Sequence, residues 1–323
     1  MSIVNSLGSS NLGQLQGFLN DNIGIRQQLS LTQEQVSSGL IAQSYGGLGE
    51  TARASLELTP QIAHEHTYQA NIDVASGRLQ ATQGALSSII SIVSNVYAQT
   101  ASLTGSSTNT PEILANLAKE GLQQVADLIN TKIGEVYVFA GQDTSNPPLP
   151  DTSPATLVPA LLASDTATAP FSTTLSPTPA TVQVGEGQTV QIGLVANKNT
   201  LTVSTAPTTG SFIRDILREF ATLTTITNGP TLQTTAADVR TRLSGAISAI
   251  ASEAGSLGDI QANLENRKTQ SAATVLTLKQ QVSNAQDVDL AVTLSRLSAL
   301  QTQLQSSYQL IASLRELSLS KYI

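Results

Sequence analysis

The last thirty residues of the chain, 294–323, carry an aliphatic stripe at helical spacing. It consists of Leu294, Leu297, Leu304, Ile311 and Leu314, which follow one another at intervals of three or seven residues. Such spacing predicts a helix that buries one face. Because chain termini are usually polar and frayed, a terminus of this kind needs a partner surface. That need constrains the fold more than any other feature of the sequence.

The first forty residues predict a matching helix. Its aliphatic side chains fall on one pair of heptad positions, and Gly39 closes the stretch. These positions are Leu12, Leu15, Leu19, Leu29, Val36 and Leu40. Polar residues interrupt the stripe at Asn22, Arg26 and Gln33, so the predicted seam is imperfect.

A longer helical pattern runs from about Thr51 to Ser102, with Pro60 near its start. Proline lacks the backbone donor and clashes with the preceding turn, so we expect the sustained helix to begin at Pro60 rather than run through it. A helix of about 40 residues is about 60 Å long. This length favours a rod or a coiled coil over a compact domain.

The middle of the chain has a different composition. Eight of the twelve prolines lie between Gln142 and Ser204, so we expect no helix there. Alternating aliphatic residues flank Gly185-Glu186-Gly187 and predict a β-hairpin. They are Val182, Val184, Val190 and Ile192. A short strand is also predicted just before this region, from Gly134 to Gly141.

Helical patterns cover about 110–131 before the middle region, and 211–223, 232–282 and 288–323 after it. Each half of the chain therefore leaves apolar helix faces that the other half can cover. The expected fold is mainly α. The N- and C-terminal halves form a long antiparallel helical bundle or coiled coil, with a small β-rich domain inserted in the middle.

Composition excludes several classes of function. The net charge of −7 argues against a nucleic-acid partner, which requires a basic footprint. No run of 18 apolar residues is present, so we expect no membrane partner. The absence of cysteine excludes disulfides and thiolate metal sites. The segment MSIVNSLGSSNLGQL lacks a basic n-region and a long apolar core, so it is not expected to be a secretory signal.

Candidate chemical sites are weak. His64 and His66 are two residues apart on a predicted helix and point about 200° from each other, so one ion cannot take both. Ser318 and Lys321 match a Ser-Xaa-Xaa-Lys pattern, but the other motifs of such acyl enzymes are absent. We therefore expect no catalytic residue, no cofactor and no metal site, and a protein that is not an enzyme.

Four segments resemble the bacterial flagellin family, which includes the hook–filament junction protein. They are EQVSSGLIAQSYGGLGE (34–50), NIDVASGRLQATQGALSSI (71–89), INTKIGEVYVFAGQDTSNPPL (129–149) and the closing NAQDVDLAVTLSRLSALQTQLQSSYQLIASLRELSLSKYI (284–323). No single segment is strongly specific for the family, but the order, spacing and end positions of the four segments together are specific. The resemblance covers about 1–149 and 210–323.

The resemblance implies three regions. Residues 1–46 with 285–323 would form an inner terminal coiled-coil domain, and 47–142 with 210–284 a helical rod. Residues 143–209 would form an outer, Ser/Thr/Pro-rich β domain. This outer domain is either a solvated loop region or an O-glycosylated surface, as in related filaments.

The resemblance also implies a function. The chain is expected to self-assemble into the flagellar filament for swimming, with a junction-type adaptor collar as the alternative. An alternative of another class is a secreted coiled-coil adhesin or effector. The implied partners are further copies of the chain, hook-associated and cap proteins, and an export chaperone. The implied location is the extracellular flagellum, reached without a cleaved signal peptide.

The apolar faces of the terminal helices are the expected contacts between copies. Two helices alone cannot cover such wide stripes, and the low charge of the remaining faces suits neighbours on several sides. The predicted interface residues are Leu12, Leu15, Leu19, Leu290, Leu294, Leu297, Leu304 and Ile311.

Overall fold

The computed structural model describes residues 3–101, 110–163, 169–199 and 210–319, with side chains from 16 to 313 apart from 102–110, 164–168 and 200–209. The helices are α1 (Ile3–Ser38), α2 (Ala52–Thr100), α3 (Thr110–Ile129), α4 (Pro154–Ala163), α5 (Phe212–Thr224), α6 (Leu232–Gln286) and α7 (Leu290–Leu319). The strands are β1 (Lys132–Ile133), β2 (Val136–Tyr137), β3 (Thr181–Gly185) and β4 (Gln188–Gln191). Two single-turn 3-10 helices, Tyr45–Gly47 and Gly49–Thr51, lead into α2.

Long helices from both halves of the chain flank two small antiparallel sheets, β1–β2 and β3–β4. The predicted fold class is therefore confirmed. The hairpin around Gly187 is confirmed as well, since Val182 pairs with Val190 and Gly187 has a φ of +65°. A left-handed φ of this kind favours glycine.

Three local predictions need correction. The strand predicted from Gly134 to Gly141 is only Val136–Tyr137, β2, which pairs with β1 because Gly134 turns the chain with a φ of +57°. Helix α2 runs through Pro60. Pro60 has no amide hydrogen to donate to the Leu56 carbonyl. The side chains of Pro60 and Leu56 are both exposed, so this carbonyl lies on the solvent side of the helix, where the missing hydrogen bond costs least.

The proline-rich middle also contains a helix, α4, against expectation. Pro154 occupies its first position, where no backbone donor is needed. The carbonyl of Ser153 accepts from the amides of Thr156 (3.1 Å) and Leu157 (3.0 Å). Leu157 and Leu161 are almost fully buried, and this burial offsets the hydrogen bond that Pro159 removes.

The chain folds into two compact units: a terminal unit, residues 1–64 and 274–323, and a central unit, residues 65–273. In the terminal unit α1 packs against α7, and a short bridge joins the segments that follow α1 and precede α7. The amide of Ile41 donates to Gln286 O (2.6 Å), and the amide of Val288 donates to Gly39 O (3.0 Å). Thr51 Oγ1 also donates to Ala285 O (2.8 Å), so both α1–α7 and α2–α6 run antiparallel here.

The central unit has a closed hydrophobic core around α5. This helix packs against α3 and α4, and nine of its thirteen side chains are buried while none is exposed. A Cβ on Gly121 of α3 would lie 2.9 Å from the Phe220 ring, so close packing requires glycine there. Ser211 caps α5: its hydroxyl accepts from the Arg214 amide (3.2 Å) and donates to Ala196 O (2.6 Å).

The hairpin β3–β4 lies on the α2–α6 pair of the central unit. Asn71 of α2 donates to Gln183 O (3.1 Å), and Val184 of the hairpin is buried. The two helices are also joined directly. Lys268 pairs with Asp73 at 2.5 Å, and the Ser271 hydroxyl donates to Glu65 Oε2 at 2.6 Å.

Candidate subunit interface

The two terminal helices meet along a seam of alternating three- and four-residue steps. On α1 the seam residues are Asn22, Ile25, Leu29, Thr32 and Val36; on α7 they are Thr293, Leu297, Leu300, Leu304, Ser307 and Ile311. This spacing is that of a coiled-coil seam. Four of these eleven residues are polar, so the seam buries little apolar surface for its length.

Asn22 shows the weakness of the seam most clearly. Its side-chain amide donates to Phe18 O within α1 (3.0 Å). Its buried Oδ1 has no hydrogen-bond partner in the part of the chain that the structure describes. A buried acceptor without a donor lowers the stability of a helix pair. The α1–α7 pair is therefore weakly stabilised by its internal seam alone.

A second set of aliphatic residues flanks the seam and remains exposed. Each has about half or more of its side chain open, from 49% to 63%. The set is Leu19, Ile23 and Leu31 on α1, and Leu290, Val292, Leu294 and Leu310 on α7. We call these seven residues the outer stripe. Scattered apolar residues are common on protein surfaces, but seven of them beside one helix pair make this surface the candidate interface.

The structure divides the predicted interface residues between these two sets. Leu19, Leu290 and Leu294 lie in the outer stripe, while Leu297, Leu304 and Ile311 lie in the α1–α7 seam. The side chains of Leu12 and Leu15 lie outside the described residues, as does that of Leu314. The sequence reasoning missed Ile23, Leu31, Val292 and Leu310. Each of these four residues directly precedes or follows a seam residue in the sequence, and that adjacency was the available signal.

One polar link joins α1 and α7 at the end of the seam far from the Leu40–Asp287 bridge. The Nε and Nη2 atoms of Arg26 donate to the Tyr308 hydroxyl at 3.0 and 2.6 Å. The guanidinium also lies 5.6 Å from the centre of the Tyr308 ring. At the other end the bridge between Leu40 and Asp287 fixes the same antiparallel alignment.

The side chains considered for chemistry do not form a site. His64 and His66 are both exposed, and His66 Nδ1 lies 3.3 Å from Gln69 Oε1. Ser318 and Lys321 lie outside the described side chains. Within the ranges that the structure covers, no group of three or more His, Cys, Asp or Glu residues could hold a metal ion. Among the described helices, none is long and apolar enough to cross a membrane.

Two family models match the chain at its two ends. The bacterial flagellin N-terminal helical region matches residues 14–144, and the bacterial flagellin C-terminal helical region matches residues 241–323. Together they cover more than half of the chain. The chain belongs to the bacterial flagellin family. As a member of this family it is a structural component of the flagellum.

Two solved structures share the fold. A protein of Vibrio parahaemolyticus described as flagellar hook-associated has a TM-score of 0.58 at 13% identity, covering 73% of this chain and 97% of its own. FlgL of Bacillus cereus has a TM-score of 0.53 at 14% identity, covering 70% of this chain and 99% of its own. At these identities the likeness concerns the fold alone. The sequence matches no curated protein.

Proposed function

We propose that this flagellin-family chain is an axial subunit that self-assembles into the flagellar filament. The observation that carries the proposal is the outer stripe, in which seven aliphatic side chains flank a polar-rich seam and lie half exposed. Covering them with neighbouring copies removes apolar surface from water, which drives association. The predicted contacts Leu19, Leu290 and Leu294 belong to this stripe, whereas Leu297, Leu304 and Ile311 support it from the seam.

The mechanism is coupled ordering and docking. An α1–α7 pair with so little apolar seam gains stability from each neighbour that covers its outer stripe. Contacts between different patches of successive copies generate an open helical polymer when the rotation between copies does not close a ring, and the proposed filament is this open case. The terminal region 1–46 with 285–323 would then line the inside, with 143–209 on the outer surface, either bare or glycosylated.

Electron microscopy of the native assembly tests the proposal. A filament subunit is expected as a long tube with many copies along the axis. Hydrogen exchange on the free chain and on the polymer adds a second readout, since amides of 16–38 and 290–313 should gain strong protection on assembly. A full-length chain that stays monomeric and equally protected at high concentration would overturn the proposal, and would favour a secreted adhesin or effector.

A second candidate is the hook–filament junction. Its motivation is that the two solved structures sharing this fold are one described as hook-associated and one named FlgL, each covered almost completely by this chain. A likeness of fold alone does not separate the two candidates. A junction subunit would form a collar of a few copies at one end of a filament made of another protein. Labelling the chain on intact flagella separates the two candidates: label along the whole length indicates the filament, and label at the hook end indicates the junction.

Partners and location follow from either place in the flagellum. Copies of the chain contact one another, and hook-associated or cap proteins contact the ends of the assembly. An export chaperone would cover the outer stripe before assembly, because exposed aliphatic surface promotes premature association. Delivery would be to the cell exterior, without a cleaved signal peptide.

A further inference from the structure

A groove lies beside the last turns of α1 in the terminal unit. The chain leaves α1, turns at Gly39 with a φ of +74°, and runs back along the helix. Between the helix and residues 40–47 is a groove of about 260 Å³. Its lining includes the aliphatic residues Leu31, Leu40, Ile41 and Ala42, and Glu34 supplies the charge of this lining.

The groove is preformed by hydrogen bonds and close packing. Gln35 Nε2 donates to Ile41 O (2.9 Å), and the Ile41 amide is held by Gln286 O (2.6 Å). A Cβ on Gly47 would lie 2.5 Å from the Ala42 side chain, so only glycine allows the chain to close on itself there. The walls therefore need no rearrangement before a side chain enters.

A matching feature lies on α6 of the same unit. Leu276 is 70% exposed, the highest value among the exposed large apolar side chains that the structure describes. Its neighbours on the outer face of the helix are small or polar: Ala272, Ala273 and Gln280 are all exposed. Lys279, also exposed, follows Leu276 by three residues and lies on the same face. An isolated leucine with a cation beside it thus projects from the helix.

We propose that Leu276 of one copy inserts into the groove of residues 31–47 of the next copy, with Lys279 facing Glu34. This inference rests on the proposed self-assembly and names two surfaces that would meet in it. Hydrophobicity and charge agree: the leucine would meet the four aliphatic residues of the groove, and the cation beside it would meet the one carboxylate of the lining. The opposite charges align the two copies and add specificity.

The leucine cannot fill the groove of its own copy. Ile41 is bonded to Gln286, which is ten residues along α6 from Leu276, or about 15 Å of rigid helix at 1.5 Å per residue. A copy that inserts its leucine therefore leaves its own groove open for another copy. Contacts of this head-to-tail type propagate as an open assembly where the rotation between copies does not close a ring. In the proposed filament the same pair of surfaces would repeat along the assembly.

Cysteine crosslinking of the full-length chain tests the contact directly, because the native sequence contains no cysteine. In the double variant Leu276→Cys with Gln43→Cys, mild oxidation of the assembled polymer should give a ladder of covalent oligomers. In the matched control, Val74→Cys with Gln43→Cys, the first cysteine is placed at another exposed position. This variant should stay monomeric on the denaturing gel. A polymer that gives no ladder with the first pair would overturn the inference.

Seeded polymerisation followed by light scattering gives an independent test with variants of both surfaces. Leu276→Glu should raise the critical concentration about tenfold or more, since one aliphatic side chain loses its burial. Leu56→Glu, at another exposed leucine of the same unit, should change it far less. Glu34→Lys and Lys279→Glu should each slow growth, and the double variant should restore it.

The outcomes separate this inference from the proposed function. Normal polymer from Leu276→Glu, or no rescue in the charge-exchanged double variant, would exclude the leucine–groove contact and leave self-assembly intact. Failure of the unaltered chain to polymerise would remove both. A ladder that also forms in the unassembled monomer fraction would show random collision and would likewise count against the contact.

Discussion

The central and terminal units solve the same packing problem in opposite ways. In the central unit, α5 is surrounded by its own chain, and Phe212, Phe220 and Leu223 are at most 2% exposed. In the terminal unit, α1 and α7 share a seam in which Thr and Asn replace part of the aliphatic surface, and seven aliphatic residues face outward. The first unit has a core closed by its own chain, and the second leaves apolar surface that the proposed assembly would cover.

The largest effect is expected from charged residues placed in the seam between α1 and α7. Leu297→Asp with Leu304→Asp puts two carboxylates against α1, where each must either stay hydrated or disrupt the pair. We expect complete loss of polymer and no change in the thermal unfolding of the central unit. The matched control Ser298→Asp with Gln305→Asp changes exposed neighbours on the same helix. Normal assembly of the seam variant, measured by electron microscopy, would contradict the division into two kinds of unit.

A second variant removes the aromatic ring of Phe220 from the core of the central unit. Phe220→Ala deletes a fully buried side chain that packs on Gly121, and should lower the free energy of unfolding by about 3–5 kcal/mol. Chemical denaturation followed by circular dichroism measures this loss.

Phe18→Ala is the informative control for that measurement. Phe18 is 38% exposed at the outer end of the terminal pair. Its removal should leave the unfolding of the central unit unchanged and weaken assembly instead. Equal destabilisation of the central unit by both alanine variants would show that the two regions do not differ in the proposed way.

The sequence predicts the helical halves well because an apolar spacing of three and four is a local signal. It also places the β3–β4 hairpin, because Gly185-Glu186-Gly187 marks the turn. It does not distinguish the seam from the outer stripe. Leu294 and Leu297 are both aliphatic and less than one turn apart, yet the first is half exposed and the second lies in the seam.

Two physical effects hide this distinction from the sequence. Polar residues such as Thr293 and Ser307 occupy seam positions, so aliphatic character does not identify the buried face. Helix α4 was missed for a related reason: the burial of Leu157 and Leu161 outweighs the local cost of Pro159. In both places tertiary packing overrides the local pattern, and only the folded chain reveals it.

A smaller effect concerns a carboxylate buried in the central core. Glu219 of α5 is 3% exposed and pairs with Arg242 of α6 at 3.1 Å. Burial raises the pKa of the Glu219 carboxyl above its ordinary value of 4.5, and the nearby Arg242 and Arg218 offset this rise only in part. Asp215, the nearby acid on α5, raises that pKa further.

The direction of the pH dependence follows from this shift. Between the ordinary and the raised pKa the folded chain binds more protons than the unfolded chain, so stability falls as pH rises through that window. Glu219→Gln should remove this slope and increase the free energy of unfolding above the window. The exposed Glu265→Gln should leave the slope in place. Denaturation of the central unit from pH 4 to pH 8, roughly the range that brackets the shift, measures it.

The smallest expected effect concerns the polar link between Arg26 and Tyr308 in the terminal unit. Tyr308→Phe removes both hydrogen bonds from Arg26 but keeps the ring beneath the guanidinium. Because Tyr308 is 43% exposed, water replaces the lost partner, and we expect about 0.5–1 kcal/mol in the stability of the polymer and none in the central unit. The measurement is the denaturant midpoint of polymer dissociation. Tyr308→Ala also removes the ring and its cation–π contact, so it should cost more than Tyr308→Phe. Equal midpoints for both variants and the unaltered chain would mean that the Arg26–Tyr308 link does not contribute to the stability of the polymer.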